Sequence, residues 1–341
     1  MGKVRIGILG GGYWGKNVLR SFSSMEEVEV KILCDPNPDS LQELRESFPS
    51  LELIDKPEAL LRSDGIEGVA IVTPPSLHAS PAKEALRSGK HVFVEKPMAM
   101  SLEEGEELVR MAEEGGRVLF VDETFLYDPA LRMVKEMIKG GEIGEVYHLL
   151  LQRLGMGRIR CESNVWWNSA PHDLSILRYL LERPVRSISV KGYTYLQEGL
   201  QDMVWGDLEL EDGVSAWVHL SWYHPISTAS LVVVGSRGSI FYEGRFAKRK
   251  VALYRHQLGS PPKKMVGGIP SPNLIPARSH CEREITDFGP PEPLFASCEA
   301  FIKAVREGMD APSLGRYSLE TLKVLDAGAR SLGRGGERVR L

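Results

Sequence analysis

KVRIGILGGGYWG, residues 3–15, decides the fold. Lys3 to Leu9 is apolar and β-branched like a buried strand, and it runs directly into Gly10-Gly11-Gly12-Tyr13-Trp14-Gly15. The pattern G-x-G-x-x-G falls on Gly10, Gly12 and Gly15. The three glycines serve, in turn, a tight turn, close approach of backbone to a pyrophosphate, and close packing of helix on strand. The run Trp14 to Ser23 reads as the helix whose free N–H groups and positive dipole end face the phosphates. Tyr13 and Trp14, between the last two glycines, belong to the same predicted nucleotide contact. A second strand, Val28 to Leu33, ends in Cys34-Asp35, and 35 − 15 = 20 is the spacing at which an acid receives the adenosine ribose hydroxyls. A carboxylate there favours NAD over NADP, because a 2′-phosphate would meet like charge and no arginine follows immediately. The competing reading is an aspartate that opens a turn before Pro36.

Strand and helix patterns keep alternating outward from this motif. Helix-like Ser40 to Phe48 precedes a strand at Gly68 to Thr73; helix Leu77 to Ser88, strand His91 to Val94, helix Leu102 to Glu114 and strand Arg117 to Val121 follow. Mostly apolar strands separated by helices predict a parallel, doubly wound α/β sheet, a Rossmann dinucleotide-binding domain over residues 1–122. In such sheets ligands bind beyond the carboxyl ends of the strands. Thr73, Pro74 and Pro75 lie at such an end as a rigid loop without free donors, suited to packing against a nucleotide. His78 either contacts the cofactor or simply occupies a helix's first turn.

Glu95-Lys96-Pro97 closes the run His91 to Val94. A lysine there packs its stem in apolar surroundings and aims its ammonium into the crevice, where it can donate to a substrate oxygen and help move its proton. A lone Lys-Pro would read as a surface lysine; beside the glycine loop it reads as part of a site, with Glu95 and Lys96 both facing the cofactor. The sharp exit makes Lys96–Pro97 a candidate cis bond.

After Val121 the pattern changes, and residues 123–341 read as a second, α+β domain for substrate binding and oligomerisation. Asp128-Pro129 starts a helix that Gly140-Gly141 ends. Leu208 to Leu210 and Ser215 to Trp222 flank Glu211-Asp212-Gly213, and Leu231 to Val234 and Ser239 to Tyr242 flank a turn at Gly235 to Gly238. These are antiparallel hairpin signals, so an open, mostly antiparallel sheet is expected, with helices on one side. Trp205, Trp217, Trp222 and Tyr223 are placed on the other face, where a second copy in a homodimer or homotetramer would cover them. Val251 to Ile285 reads as a long loop. Leu294 to Val305 and Leu319 to Leu332 are helical, the last packing back on the first domain.

Trp166-Trp167-Asn168-Ser169-Ala170-Pro171-His172-Asp173 is the second informative patch. Pro171 suits a helix N-terminus and puts His172 in the first turn, where the dipole disfavours a protonated ring and leaves a neutral imidazole able to accept a proton. Asn168 lies one turn earlier and can orient the ring or a substrate hydroxyl. The plainer alternative is a core histidine followed by a first-turn acid.

A net charge of −4 gives nucleic acid or an anionic membrane nothing to bind, and Lys248-Arg249-Lys250 reads as a solvated face. Cys34, Cys161, Cys281 and Cys298 are far apart with no C-x-x-C, so neither a disulfide framework nor a metal site is suggested. No apolar stretch approaches the ~18 residues of a membrane span. With the chain opening directly on a strand, a cytoplasmic protein is expected.

Together GGGYWG at 10–15, TPPSLH at 73–78, EKP at 95–97, TFLYDPA at 124–130 and APHD at 170–173 resemble the Gfo/Idh/MocA family (glucose–fructose oxidoreductase, inositol dehydrogenase and rhizopine-catabolism oxidoreductase) over essentially the whole chain. The resemblance implies a Rossmann domain, an open-sheet C-terminal domain, and a site between them where nicotinamide meets a sugar, sugar nucleotide or cyclitol. It places the family's catalytic lysine at Lys96 and its histidine at His172. Members commonly carry aspartate four residues before that histidine; here Asn168 stands there. Close relatives often have Gly-His before the threonine where this chain has Asp122-Glu123. An NAD-dependent sugar dehydrogenase or reductase is therefore expected. Two rivals are a non-catalytic sensor of NAD or sugar and a glycosidase that uses NAD transiently. Arg153, Arg158 and Arg160 either meet a substrate carboxylate or diphosphate or are solvated loop residues.

Overall fold

The computed structural model describes residues 2–156, 159–244, 249–258, 265–266, 269–270 and 277–341. Arg158 and Lys248, singled out above, lie outside the described residues.

The first third of the chain runs β1 (Val4–Leu9), α1 (Tyr13–Ser23), β2 (Val28–Cys34), α2 (Pro38–Ser47), β3 (Glu52–Ile54), α3 (Pro57–Arg62), β4 (Gly68–Ile71), α4 (Ala79–Arg87), β5 (His91–Glu95), α5 (Leu102–Glu114) and β6 (Leu119–Asp122). The six strands are parallel in the order β3-β2-β1-β4-β5-β6. The order reverses at β1, so the glycine loop and the ends of β4 and β5 open on one crevice. Strand β4 and most of β5 are buried on both faces, which is why they read as unbroken apolar runs. Strand β3 and helix α3 are additions to the sequence reading; three edge residues are too few to show a period.

A 3₁₀ turn at Thr124–Tyr127 leads into α6 (Pro129–Lys139), where Asp128 caps the helix by accepting from the Ala130 N–H at 2.8 Å. Then follow β7 (Val146–Leu154), α7 (Val165–Leu181), β8 (Val185–Tyr193), β9 (Met203–Leu210), β10 (Ser215–Ser221), β11 (Thr228–Gly235), β12 (Gly238–Glu243), β13 (Lys250–Leu258), β14 (Met265–Val266), β15 (Ile269–Pro270), β16 (Ala277–Ile285), α8 (Pro293–Glu307), α9 (Gly315–Gly333) and β17 (Val339–Arg340). The large sheet has the order β16-β13-β12-β11-β7-β10-β9-β8-β17; only the β7–β10 pair is parallel.

Both expected hairpins are present, the first turning through Asp212 and Gly213 at φ 60° and 78°. The loop expected over Val251 to Ile285 is not: its two ends are β13 and β16, paired along their length. Strand β16 is exposed at every position but the last, so it has no apolar period to read. Trp205 and Trp217 stand on the outer face at 40% and 44% exposure, but Trp222 is buried and Arg249 pairs with Asp128 at 3.2 Å instead of facing solvent.

Two helices from the far end of the chain return to the first sheet. Phe301 of α8 packs edge-on against Phe22, Phe93 and Phe120, with centroids 5.6–6.1 Å away. Helix α9 lies against α5 on one side and α7 on the other: a Cβ on Gly105 would come within 2.3 Å of Leu322, and one on Gly328 within 2.1 Å of Trp166.

Candidate active site

The glycine loop leaves its backbone bare toward the crevice. Gly10 has φ 109°, and a Cβ there would sit 2.5 Å from the Val72 carbonyl; one on Gly15 would sit 2.0 Å from the Gly10 carbonyl. Nothing lies within 4 Å of a Cβ built on Gly12, which caps α1 without a side chain and with no acid in the first turn. The leading N–H groups of α1 thus face open space and fit a dinucleotide diphosphate. Asp35 accepts from the N–H groups of Gly11 at 2.6 Å and Asn37 at 2.8 Å. A carboxylate has about four lone-pair sites, so two remain for ribose hydroxyls. The Trp14 indole N–H donates to Glu95 Oε1, joining the start of α1 to the end of β5.

Thr73 is half-buried and its hydroxyl donates to the Leu77 carbonyl at 3.1 Å, while Pro74 is exposed and Pro75 opens a 3₁₀ turn. His78 is corrected as a cofactor contact. Its ring is 0% exposed and lies under the loop, Nδ1 2.7 Å from the Pro97 carbonyl and Nε2 2.8 Å from that of Thr73. It joins the Thr73 loop to the cis Lys96–Pro97 turn.

Lys96 leaves the end of β5 and donates to the backbone carbonyl of Asn168 on α7 at 3.0 Å. That single bond brings the two informative patches together. Burial pulls the Lys96 ammonium below its ordinary range, Glu95 opposes this, and Arg153 and Arg160 add to it. Asn168 meets Lys96 through its backbone; its side-chain Oδ1 lies 3.5 Å from the Ser169 hydroxyl.

His172 does not lie in a helix's first turn. Helix α7 starts at Val165, capped by Asn164, which accepts from the Trp167 N–H at 3.1 Å; Pro171 is inside the helix. The signal missed was the asparagine before an apolar run, a cap outweighing a proline that reads equally as N1. The imidazole is still held neutral, by another cause: burial foremost, then the charges of Lys96 and Arg153, push it well below the ordinary histidine range. Its Nδ1 is buried with no hydrogen-bond partner among the described residues, and its ring meets Phe125 edge-on at 5.0 Å.

Arg153 spans the floor. Its guanidinium lies over Phe125 at 4.7 Å and grips buried Asp173 through two bonds, at 3.1 and 3.4 Å. Asp173 is therefore a buried counterion, not a plain first-turn acid. Arg160 is half-exposed and lies 3.6 Å from Glu162.

Glu123 is buried and paired with Arg178 at 2.8 Å, and Arg178 also reaches Thr321 and the Pro312 carbonyl. Asp122 ends β6 directly opposite Glu95 of β5. Sequence reasoning left both acids unplaced, although each of Glu95 and Asp122 follows an apolar strand run in the same way.

Two family profiles match: the oxidoreductase family with an NAD-binding Rossmann fold over residues 4–123, and the GFO/IDH/MocA C-terminal domain over 131–241. The chain belongs to the Gfo/Idh/MocA family. Among relatives, a Comamonas testosteroni 1-carboxy-3-chloro-3,4-dihydroxycyclohexa-1,5-diene dehydrogenase is 32% identical over 54% of this chain, but the match spans only 49% of that protein. A Bacillus subtilis scyllo-inositol 2-dehydrogenase (NAD(+)) is 30% identical over 70% of this chain and 73% of its own length. Among solved structures, the UDP-N-acetylglucosamine 3-dehydrogenase GnnA of Acidithiobacillus ferrooxidans superposes with a TM-score of 0.81 over 98% of this chain and 99% of that one. At 20% identity that likeness speaks for this Gfo/Idh/MocA fold alone. Among the described residues no helix is long and apolar enough to cross a membrane.

Proposed function

We propose that this Gfo/Idh/MocA protein is an NAD-dependent oxidoreductase acting on a secondary alcohol or ketone of a sugar, sugar nucleotide or cyclitol. The observation that carries the reading is the 3.0 Å bond from Lys96 to the Asn168 carbonyl, which holds an ammonium one helical turn from a neutral, unpaired imidazole. Bound NAD supplies the hydride acceptor. In the oxidation direction His172 accepts the proton of the substrate hydroxyl, and Lys96 donates a hydrogen bond to the oxygen as negative charge develops on it. Asp35 receives the adenosine ribose, and the residues from Gly10 to Gly15 cradle the diphosphate. The half-exposed Arg160 supports a substrate with an anionic group, which suits a nucleotide sugar; the inositol and UDP-sugar specificities in the relatives' names fall within this range. The exposed Trp205 and Trp217 support a homodimer or homotetramer packed through the outer sheet face.

Mass spectrometry of the protein under native and then denaturing conditions tests the cofactor, followed by hydride-transfer assays on nucleotide sugars and inositols. NAD(H) release with turnover of one class is expected. NADP(H) would overturn the specificity drawn from Asp35. Ligand binding without turnover would favour a sensor, and sugar release without net NADH a glycosidase.

A further inference from the structure

At the ends of adjacent parallel strands, Glu95 and Asp122 stand opposite each other and within hydrogen-bonding reach. Both are buried, at 9% and 0% exposure. Asp122 Oδ1 accepts from the Ser297 hydroxyl at 2.6 Å and the Thr124 hydroxyl at 3.0 Å. Its other oxygen, Oδ2, is buried without any donor among the described residues. Glu95 Oε1 accepts from the Trp14 indole, and the residue after Glu95 is Lys96. Two ionised carboxylates at this separation in a dry site repel strongly, and an orphaned carboxylate oxygen is costly. One proton between them removes both costs.

We propose that Glu95 and Asp122 share a single proton, carried by Glu95 and donated to Asp122 Oδ2, and that this singly charged pair is the counterion of Lys96. Asp122 is then a positioning residue for the reaction. The donor count fixes where the proton rests: two hydroxyls stabilise an ionised Asp122, whereas Glu95 receives one indole. Burial raises both acids above their ordinary range, Glu95 the further, and the Asp122 charge adds to the effect on Glu95. The charge balance of the cleft agrees. Lys96 faces Arg153 from β7, Arg160, the neutral ring of His172, and His78, whose affinity for protons burial lowers and its two carbonyl partners raise; the pair faces Lys96, the Glu292 carboxylate at the start of α8 and the buried thiol of Cys298. Arg153 is already taken by Asp173, so one negative charge on the pair leaves Lys96 balanced. Both carboxylates ionised would leave an excess.

Two isosteric variants separate this arrangement from a merely structural one. In Glu95→Gln the amide N–H replaces the acid O–H toward Asp122 Oδ2. In Asp122→Asn the amide donates to a Glu95 freed to ionise beside Lys96. Infrared spectroscopy above the ordinary carboxylate range reads the carbonyl stretch of a protonated acid without requiring turnover. The wild-type protein should show it, and both variants should lose it. Identical spectra for wild type and Glu95→Gln, or a band surviving in Asp122→Asn, would overturn the shared proton. If Asp122→Asn fails to fold, Glu95→Gln alone decides. The kinetic arm rests on the oxidoreductase reading. Lys96 acts as an ammonium, so activity falls as pH rises through its folded pKa. Asp122→Asn should move that basic limb upward by about one pH unit or more, whereas Glu95→Gln should leave its position in place whatever happens to turnover. A limb unmoved in active Asp122→Asn would overturn the counterion role, and an inactive wild type would indict the oxidoreductase reading while the infrared result still stood.

Discussion

The two walls of the cleft are held by different means. The wall made by the ends of β1 and β5 depends on what its residues lack: Gly10 and Gly15 have no room for a Cβ. The wall made by α7 depends on what its residues reach. The Trp166 indole donates to the Leu325 carbonyl at 2.8 Å, Arg178 ties Glu123 to Thr321, and Arg153 grips Asp173. The first wall excludes side chains at its glycines, whereas the second is tied by partners up to 159 residues away. Damage should therefore differ in kind as well as size.

The largest effect should come where the walls meet. Lys96→Ala and His172→Ala should each lower turnover by about 10²–10⁴-fold while the thermal transition persists, because positioned acid–base groups contribute about that much. Near-normal turnover in one variant would remove that wall from the chemistry. Next comes Gly15→Ala, whose methyl would meet the Gly10 carbonyl. An overpacking cost of about 1–3 kcal/mol, expressed on binding, is roughly a 5–150-fold loss of dinucleotide affinity by calorimetry. Unchanged affinity would show that the loop gives way. Gly328→Ala, which drives a methyl into Trp166, should lose a similar about 1–3 kcal/mol in denaturant unfolding with dinucleotide affinity intact. If affinity fell in step, the walls would not be independent.

The smallest effect concerns protons. As the proposed base His172 must be neutral to act, and burial with Lys96 and Arg153 lowers its affinity for protons. Activity should persist as pH falls through the ordinary histidine range and disappear only below it. An acid limb of kcat/KM at or above that range would place the base elsewhere.

The same contrast explains what could be read from sequence. The Gly10–Gly15 loop, Asp35 and the strand preceding Lys96 announce themselves through local spacing and an apolar run. His172 is legible for its chemistry but not for its place on the helix, since a proline reads as a helix start, where its missing N–H costs nothing, whereas Pro171 lies inside α7. Asp122 and Glu123 look like departures without a role, because their partners Ser297 and Arg178 lie on other elements. His78 passes for a ligand contact because nothing local says that the Pro97 carbonyl lies over it. Strand β16, exposed at every position but the last, offers no period at all.

Helix α9 joins α5, which follows β5, to α7 within about two turns of itself: Leu322 fills the notch at Gly105 on α5, and the stretch from Leu325 to Gly328 seats Trp166. It works as a spacer, holding these two helices apart by its own thickness. Since a misplacement of about 1 Å can cost roughly 10²-fold in rate, a change at Gly105 or Leu322, far from any reacting atom, would register as a fault in alignment.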